Sequence, residues 1–234
     1  MFQARKVAGF QRECQKLQVP AFLQRYAGQM EHLRRLDTPM SSLRLVVLDT
    51  ETTGLNVHRD HLLTVGAVVI QGGEIRLGES LEIFVSHEEP VPMRGSEVHG
   101  LTLSDFAQGI PPIKALAEVL DFLGADILVG QHIGFDAAML EQTVSRLFMP
   151  GFQLFNHRID TATLAYKVEH PSAWRQEMLQ PSLYNLDALC DRYQIPVIDR
   201  HTAWGDALAT AELFLKLSHK MEKQGRRTLR QFIG

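Results

Sequence analysis

The chain has 234 residues, 45% of them apolar and 22% charged, which suits a soluble globular protein with room for one sizeable domain plus an appendage. Its longest apolar stretch, residues 62–70, is too short to cross a bilayer, and its N-terminus has no signal-type apolar segment, which excludes a membrane partner. The net charge of −3 conceals an asymmetry: residues 1–44 carry eight Lys/Arg against three Asp/Glu, residues 216–234 six against one, and the acidic excess lies between. Carboxylates at the centre that hold divalent cations, with peripheral cations that hold a polyanion, would account for this pattern. A solvated surface with basic helical ends accounts for it equally.

In chain order, residues 3–36 read as helical in two pieces broken at Pro20, because the residue before a proline is pushed out of the α region. Residues 37–42 read as a linker. The division expected is therefore a helical appendage at 1–42, a domain at 43–220 and a basic C-terminal tail at 221–234. Residues 43–48 are a continuous β-rich apolar run, as in a central strand buried on both faces. A second strand at 61–70 turns at Gln71-Gly72-Gly73 into a third at 74–85. A Pro- and Gly-rich loop (86–100) follows. Then come a helix near 112–123, a strand at 126–129, a helix at 135–148, a strand near 155–160 and a short helical piece. After a polar insertion at 168–182, helices at 183–193 and 203–220 complete the domain. A meander followed by β-α alternation predicts an α/β fold, a mixed sheet with helices on both faces. Cys14 and Cys190 lie far apart with no metal-ligand spacing, so both read as buried small residues and the cytoplasm as the default compartment.

Asp49 and Glu51 end the first strand. At i and i+2 they share a face, at the carboxyl end where open α/β sheets place their sites. Two carboxylates about 4 Å apart repel by roughly 4 kcal/mol at an effective dielectric near 20, and a hard divalent cation removes that penalty. The competing reading is a turn begun by Asp49 and Thr50 and completed by Gly54. Asp136 falls in the first turn of a helix, where it serves either a site or the helix dipole. His201 and Asp206, five residues apart, cannot share one helical face. With Thr202 as N-cap, His201 lies in the preceding loop and Asp206 one turn inside the helix. Taken singly each residue has an ordinary surface explanation. Together, four acids and an imidazole at the ends of predicted elements supply the parts of two-metal phosphodiester hydrolysis.

Three segments carry a resemblance. Asp49-Thr-Glu51-Thr-Thr-Gly54-Leu55, Gly130-Gln-His132-Ile-Gly-Phe135-Asp136 and His201-Thr-Ala203-Trp-Gly-Asp206 resemble, in order and spacing, the three motifs of the DEDDh 3′→5′ exonucleases. That family includes the proofreading subunits of bacterial DNA polymerase III and several RNA-trimming enzymes. Val98-His99-Gly100 resembles its loop beside the terminal nucleotide, and residues 182–189 its helix before the third motif. The resemblance covers about residues 43–220.

It implies a ribonuclease H-like fold with a five-stranded mixed sheet, and two divalent cations, Mg²⁺ or Mn²⁺. Asp49, Glu51 and Asp206 would bind the first, and Asp49 with Asp136 (through water) the second. His201 would be the general base, and Thr52, Gly54, Leu55 and His99 would contact the 3′-terminal nucleotide. One departure is His132, where the family usually has Asn. The expected partners are 3′ ends of single-stranded DNA or RNA, and a DNA polymerase or other replication or repair protein. Three functions fit: a DNA-directed exonuclease, an exoribonuclease, and a non-catalytic adaptor. The intact catalytic set disfavours the last, and the family tilts the choice between the first two toward DNA.

Overall fold

The computed structural model describes residues 2–87, 109–171 and 180–233. Helices α1 (Phe2–Leu17) and α2 (Ala21–Gln29) open the chain, parted at Pro20, whose ring holds the extended backbone that precedes α2. The second piece is shorter than the sequence suggests. After a 3₁₀ turn at Met30–His32, Leu33 turns extended (φ −52°, ψ 133°), and the carbonyls of Leu36 and Thr38 accept from Arg230 and Leu229 instead of continuing a helix.

Strands β1 (Arg44–Thr52), β2 (Leu62–Gln71), β3 (Glu74–Phe84), β4 (Ile127–Gly130) and β5 (Arg158–Asp160) form one sheet in the order β3-β2-β1-β4-β5. The β1–β2 and β2–β3 pairs are antiparallel, and β1–β4 and β4–β5 parallel, so the five-stranded mixed sheet expected of the chain is present. Gly72 and Gly73 both take positive φ (63° and 79°), which a two-residue hairpin turn requires and other residues resist.

Alternation along β1 divides the core. Val46 and Leu48 enter one buried cluster, Leu45 and Val47 the other. The first cluster is covered by α1, α2, α3 (Pro112–Leu123) and α4 (Gly134–Leu147). Phe10, Leu23 and Tyr26 of the N-terminal segment lie in it, and the buried Tyr26 hydroxyl donates to Asn156 at 2.7 Å. The second cluster is covered by α5 (Thr161–Glu169), α6 (Leu186–Tyr193), α7 (Ala203–Lys223) and the single turn α8 (Leu229–Phe232). Leu229 and Phe232 of the C-terminal segment are fully buried there. Of the basic residues near the N-terminus, Arg25 pairs with Asp121, Arg35 with Asp37, and Arg44 with Asp126 and Glu79. Cys14 and Cys190 are both buried and unoxidised, and burial pushes each thiol up to about 11.

Candidate active site

The sheet brings three carboxylates to one place. Asp49 and Glu51 point to the same face of β1, the face that carries Leu45 and Val47 and packs on α7. Asp49 pairs in register with Gly66 on β2, where a Cβ would sit 2.2 Å from the backbone of Ala203 and Trp204. The missing side chain lets the first turn of α7 lie directly on the sheet. Thr202 caps that helix by accepting from the Gly205 N–H at 3.0 Å, as its sequence position suggests, and Asp206 follows one turn in. Ligand oxygens of Asp49, Glu51 and Asp206 all lie within 4.8 Å of one another.

Asp136 approaches from the other side of the sheet. Gly130 ends β4 so close to β1 that a Cβ would meet the Leu48 carbonyl at 2.8 Å, and the turn through Gln131 and His132 leads into α4. The buried Asp136 carboxylate accepts from the Thr50 hydroxyl at 2.8 Å. Thr50 faces opposite to Asp49 and Glu51, so β1 reaches carboxylates on both of its faces. His132 has φ +55°, a left-handed backbone that Asn adopts more readily than most residues, which gives a physical reason for the usual Asn at this point.

His201 stands exposed at φ +65° in the loop before α7, and its backbone N–H donates to Asp206 at 3.3 Å. Thr52 donates to the Gly54 carbonyl at 2.7 Å, and Leu55 projects at 87% exposure beyond it. His99 lies outside the described residues.

Four participants were not found by sequence reasoning. Thr50 was read only as a turn former. Asp60, nearly buried, accepts from the Asn56 N–H at 2.8 Å and leaves no room for a side chain at Gly54. Arg146 of α4 clamps that loop by donating to the carbonyls of Asp60 and Val57, each at 2.9 Å. Arg200, directly before His201, forms an ion pair with Asp206 and another with Asp187. A single sequence gives an arginine beside an aspartate no signal beyond that of a solvated surface pair.

Oxygen ligands from three carboxylates suit a hard cation such as Mg²⁺ or Mn²⁺. The electrostatics agree. Burial first, then the neighbouring carboxylates Asp136, Asp206 and Glu51, hold the Asp49 carboxyl well above the usual range. The same causes, burial foremost, push Glu51 up to about 8, and burial pushes Asp136 up to about 7 against the opposing Thr50 hydrogen bond. The folded chain therefore binds these protons more tightly than the unfolded chain does. Without divalent cations its stability is lost as pH rises through about 7–8 and regained as pH falls. In chelator, the melting temperature is expected to rise between pH 8.5 and 6.5, and saturating Mn²⁺ should flatten the curve by holding the carboxylates ionised. A metal-free curve that falls over this interval would contradict the assignment.

The family model described as Exonuclease matches residues 46–214. The DNA polymerase III subunit epsilon of Rickettsia felis is 30% identical over 185 residues, covering 76% of each chain. Among solved structures, E. coli exonuclease I in complex with a dT13 oligonucleotide superposes with a TM-score of 0.63 at 18% identity, over 78% of this chain and 42% of that one. Exonuclease X in complex with 5′ overhanging duplex DNA gives 0.57 at 21% identity, over 81% and 97%. At these identities the two structures establish the fold, and the chain spans less than half of exonuclease I.

Proposed function

From the premise that the chain belongs to the DEDDh 3′→5′ exonuclease family, with its ribonuclease H-like fold, we propose that it removes nucleoside monophosphates from the 3′ end of single-stranded DNA by two-metal hydrolysis. The observation that carries this reading is the convergence of Asp49 and Glu51 of β1 with Asp206 of α7, their ligand oxygens within 4.8 Å, beside a loop that presents His201.

Asp49, Glu51 and Asp206 would hold one divalent cation, and Asp49 with Asp136, through water, a second. Such ions stabilise the charge that develops on the attacking and leaving oxygens of a phosphodiester. The chain's own residues do the rest. His201, exposed and tied through its backbone to Asp206, accepts the proton of the attacking water. Thr52, Gly54 and Leu55 receive the 3′-terminal nucleotide on a loop that Asp60 and Arg146 hold in shape, and the family motif assigns His99, outside the described residues, to the same nucleotide. Asp136, fixed by Thr50, keeps its place from the opposite face.

Two observations support DNA. A relative of 30% identity is a DNA polymerase III subunit, and the exonuclease I and exonuclease X structures contain DNA. That relative's name supports association with a DNA polymerase, for proofreading, and the cytoplasm is the compartment this reading takes. Among the described residues no helix is long and apolar enough to cross a membrane.

The test is a matched pair of 5′-labelled single strands of one sequence, deoxy and ribo, digested with Mg²⁺ or Mn²⁺. The deoxy strand is expected to shorten faster, one nucleotide at a time. Faster loss of the ribo strand would make the protein an exoribonuclease that recognises 2′-hydroxyls.

A further inference from the structure

We propose that Arg200 is a positioning residue that competes with a divalent cation for Asp206, and that Asp187 sets the strength of this competition by drawing the guanidinium the other way. The inference rests on the reading of Asp206 as a metal ligand.

Both oxygens of Asp206 are engaged by the protein. Oδ1 accepts the His201 N–H at 3.3 Å, and Oδ2 is paired with Nη1 of Arg200. On its other edge the same guanidinium meets Asp187 Oδ1, with Nε donating at 2.7 Å. The two carboxylates differ in setting. Asp206 is nearly buried, on the first turn of α7 beside Asp49 and Glu51, whereas Asp187 stands exposed on the first turn of α6. One cation is thus shared between a carboxylate inside the cluster and one outside it.

The charge of Arg200 reaches further than its contact. It opposes the repulsion at Asp49 and Glu51, drawing both carboxyls down against burial and their acidic neighbours. It therefore does part of what a bound cation would do, and a metal ion entering beside it meets a like charge and an engaged ligand oxygen. The planar fork of arginine suits this sharing, because its two edges hold separate carboxylates while the side chain stays in one place.

Its position in the chain makes the device local. Arg200 directly precedes His201, whose backbone N–H donates to the other oxygen of Asp206, so adjacent residues hold both oxygens of this carboxylate.

The experiment measures Mn²⁺ affinity by calorimetry or spin resonance on the full chain, with melting curves in chelator for the same variants. Arg200→Gln is expected to bind Mn²⁺ about tenfold more tightly than the wild type, the scale of effects from groups that contact a metal ligand. Its melting temperature in chelator should fall and be restored by Mn²⁺. Arg200→Lys, which keeps the charge but not the two-edged fork, should fall between the wild type and Arg200→Gln. Asp187→Asn should bind Mn²⁺ several-fold more weakly, and in the Arg200→Gln background the same change should have no effect. Weaker binding in Arg200→Gln would make the arginine a support for the ligand and overturn the inference while leaving the metal site intact. An equal effect of Asp187→Asn in both backgrounds would show that Asp187 acts by its own charge and would likewise overturn it. A wild type that binds no Mn²⁺ at all would remove the metal site and the inference together.

Discussion

Asp49→Asn is expected to lower turnover by at least about 10³-fold, roughly 4 kcal/mol of transition-state stabilisation, while raising the melting temperature of the protein in chelator. The two effects have one cause. Asp49 lies toward the carboxyl end of a strand buried on both faces, and Asp136, Asp206 and Glu51 all act on it to oppose its ionisation. With metal bound, those charges are what the cations bind, and Asp49 would contribute to both ions. In chelator they only repel, and an amide of the same shape removes one of them. A gain of about 1 kcal/mol would raise the melting temperature by about 2–4 °C in a chain of this size. The measurements are a turnover assay at saturating Mn²⁺ and a melting curve in chelator. A variant that retains a tenth of the wild-type rate would show that Asp49 is not a ligand.

His201→Asn should lose about 10²–10⁴-fold in rate, the usual contribution of a general base, with little change in Mn²⁺ affinity. Asn is the informative replacement. His201 sits at φ +65°, where alanine is strained and asparagine is at ease, and the backbone N–H that donates to Asp206 is retained. The wild-type rate should rise with pH along a limb that the variant lacks. Water on a bound divalent ion can give a limb of its own, so the comparison of the two profiles decides the assignment. Superimposable profiles, differing only in height, would move the base role to another group.

What the sequence revealed of this site follows from which rules are local. Strand alternation put Asp49 and Glu51 on one face, and capping put Thr202 outside and Asp206 inside a helix, because each rule needs only a few neighbouring residues. The contacts that were missed join distant parts of the chain. Thr50 meets Asp136 across 86 residues, and Arg146 meets the carbonyl of Asp60 across the same span. Tyr26 meets Asn156 across 130 residues. The sequence offers thin apolar stripes at Val7, Phe10 and Leu17 and at Phe22, Leu23 and Tyr26; Leu17 instead stands exposed, and nothing local identified the Phe152 ring that Phe10 and Tyr26 pack against. Gly66 shows the same limit. As a glycine inside a strand it signals a close approach, but only the fold shows that the approaching element is the turn of α7 that leads to Asp206.

The central claim is metal-dependent removal of nucleotides from a 3′ end, and one assay tests it most directly. A linear 5′-labelled deoxy strand and a circular strand of the same sequence are digested side by side, with Mn²⁺ and with excess chelator. The account predicts a ladder that shortens by single nucleotides from the linear strand, release of mononucleotides, an intact circle and no reaction in chelator. Cleavage of the circle, or undiminished digestion in chelator, would contradict it.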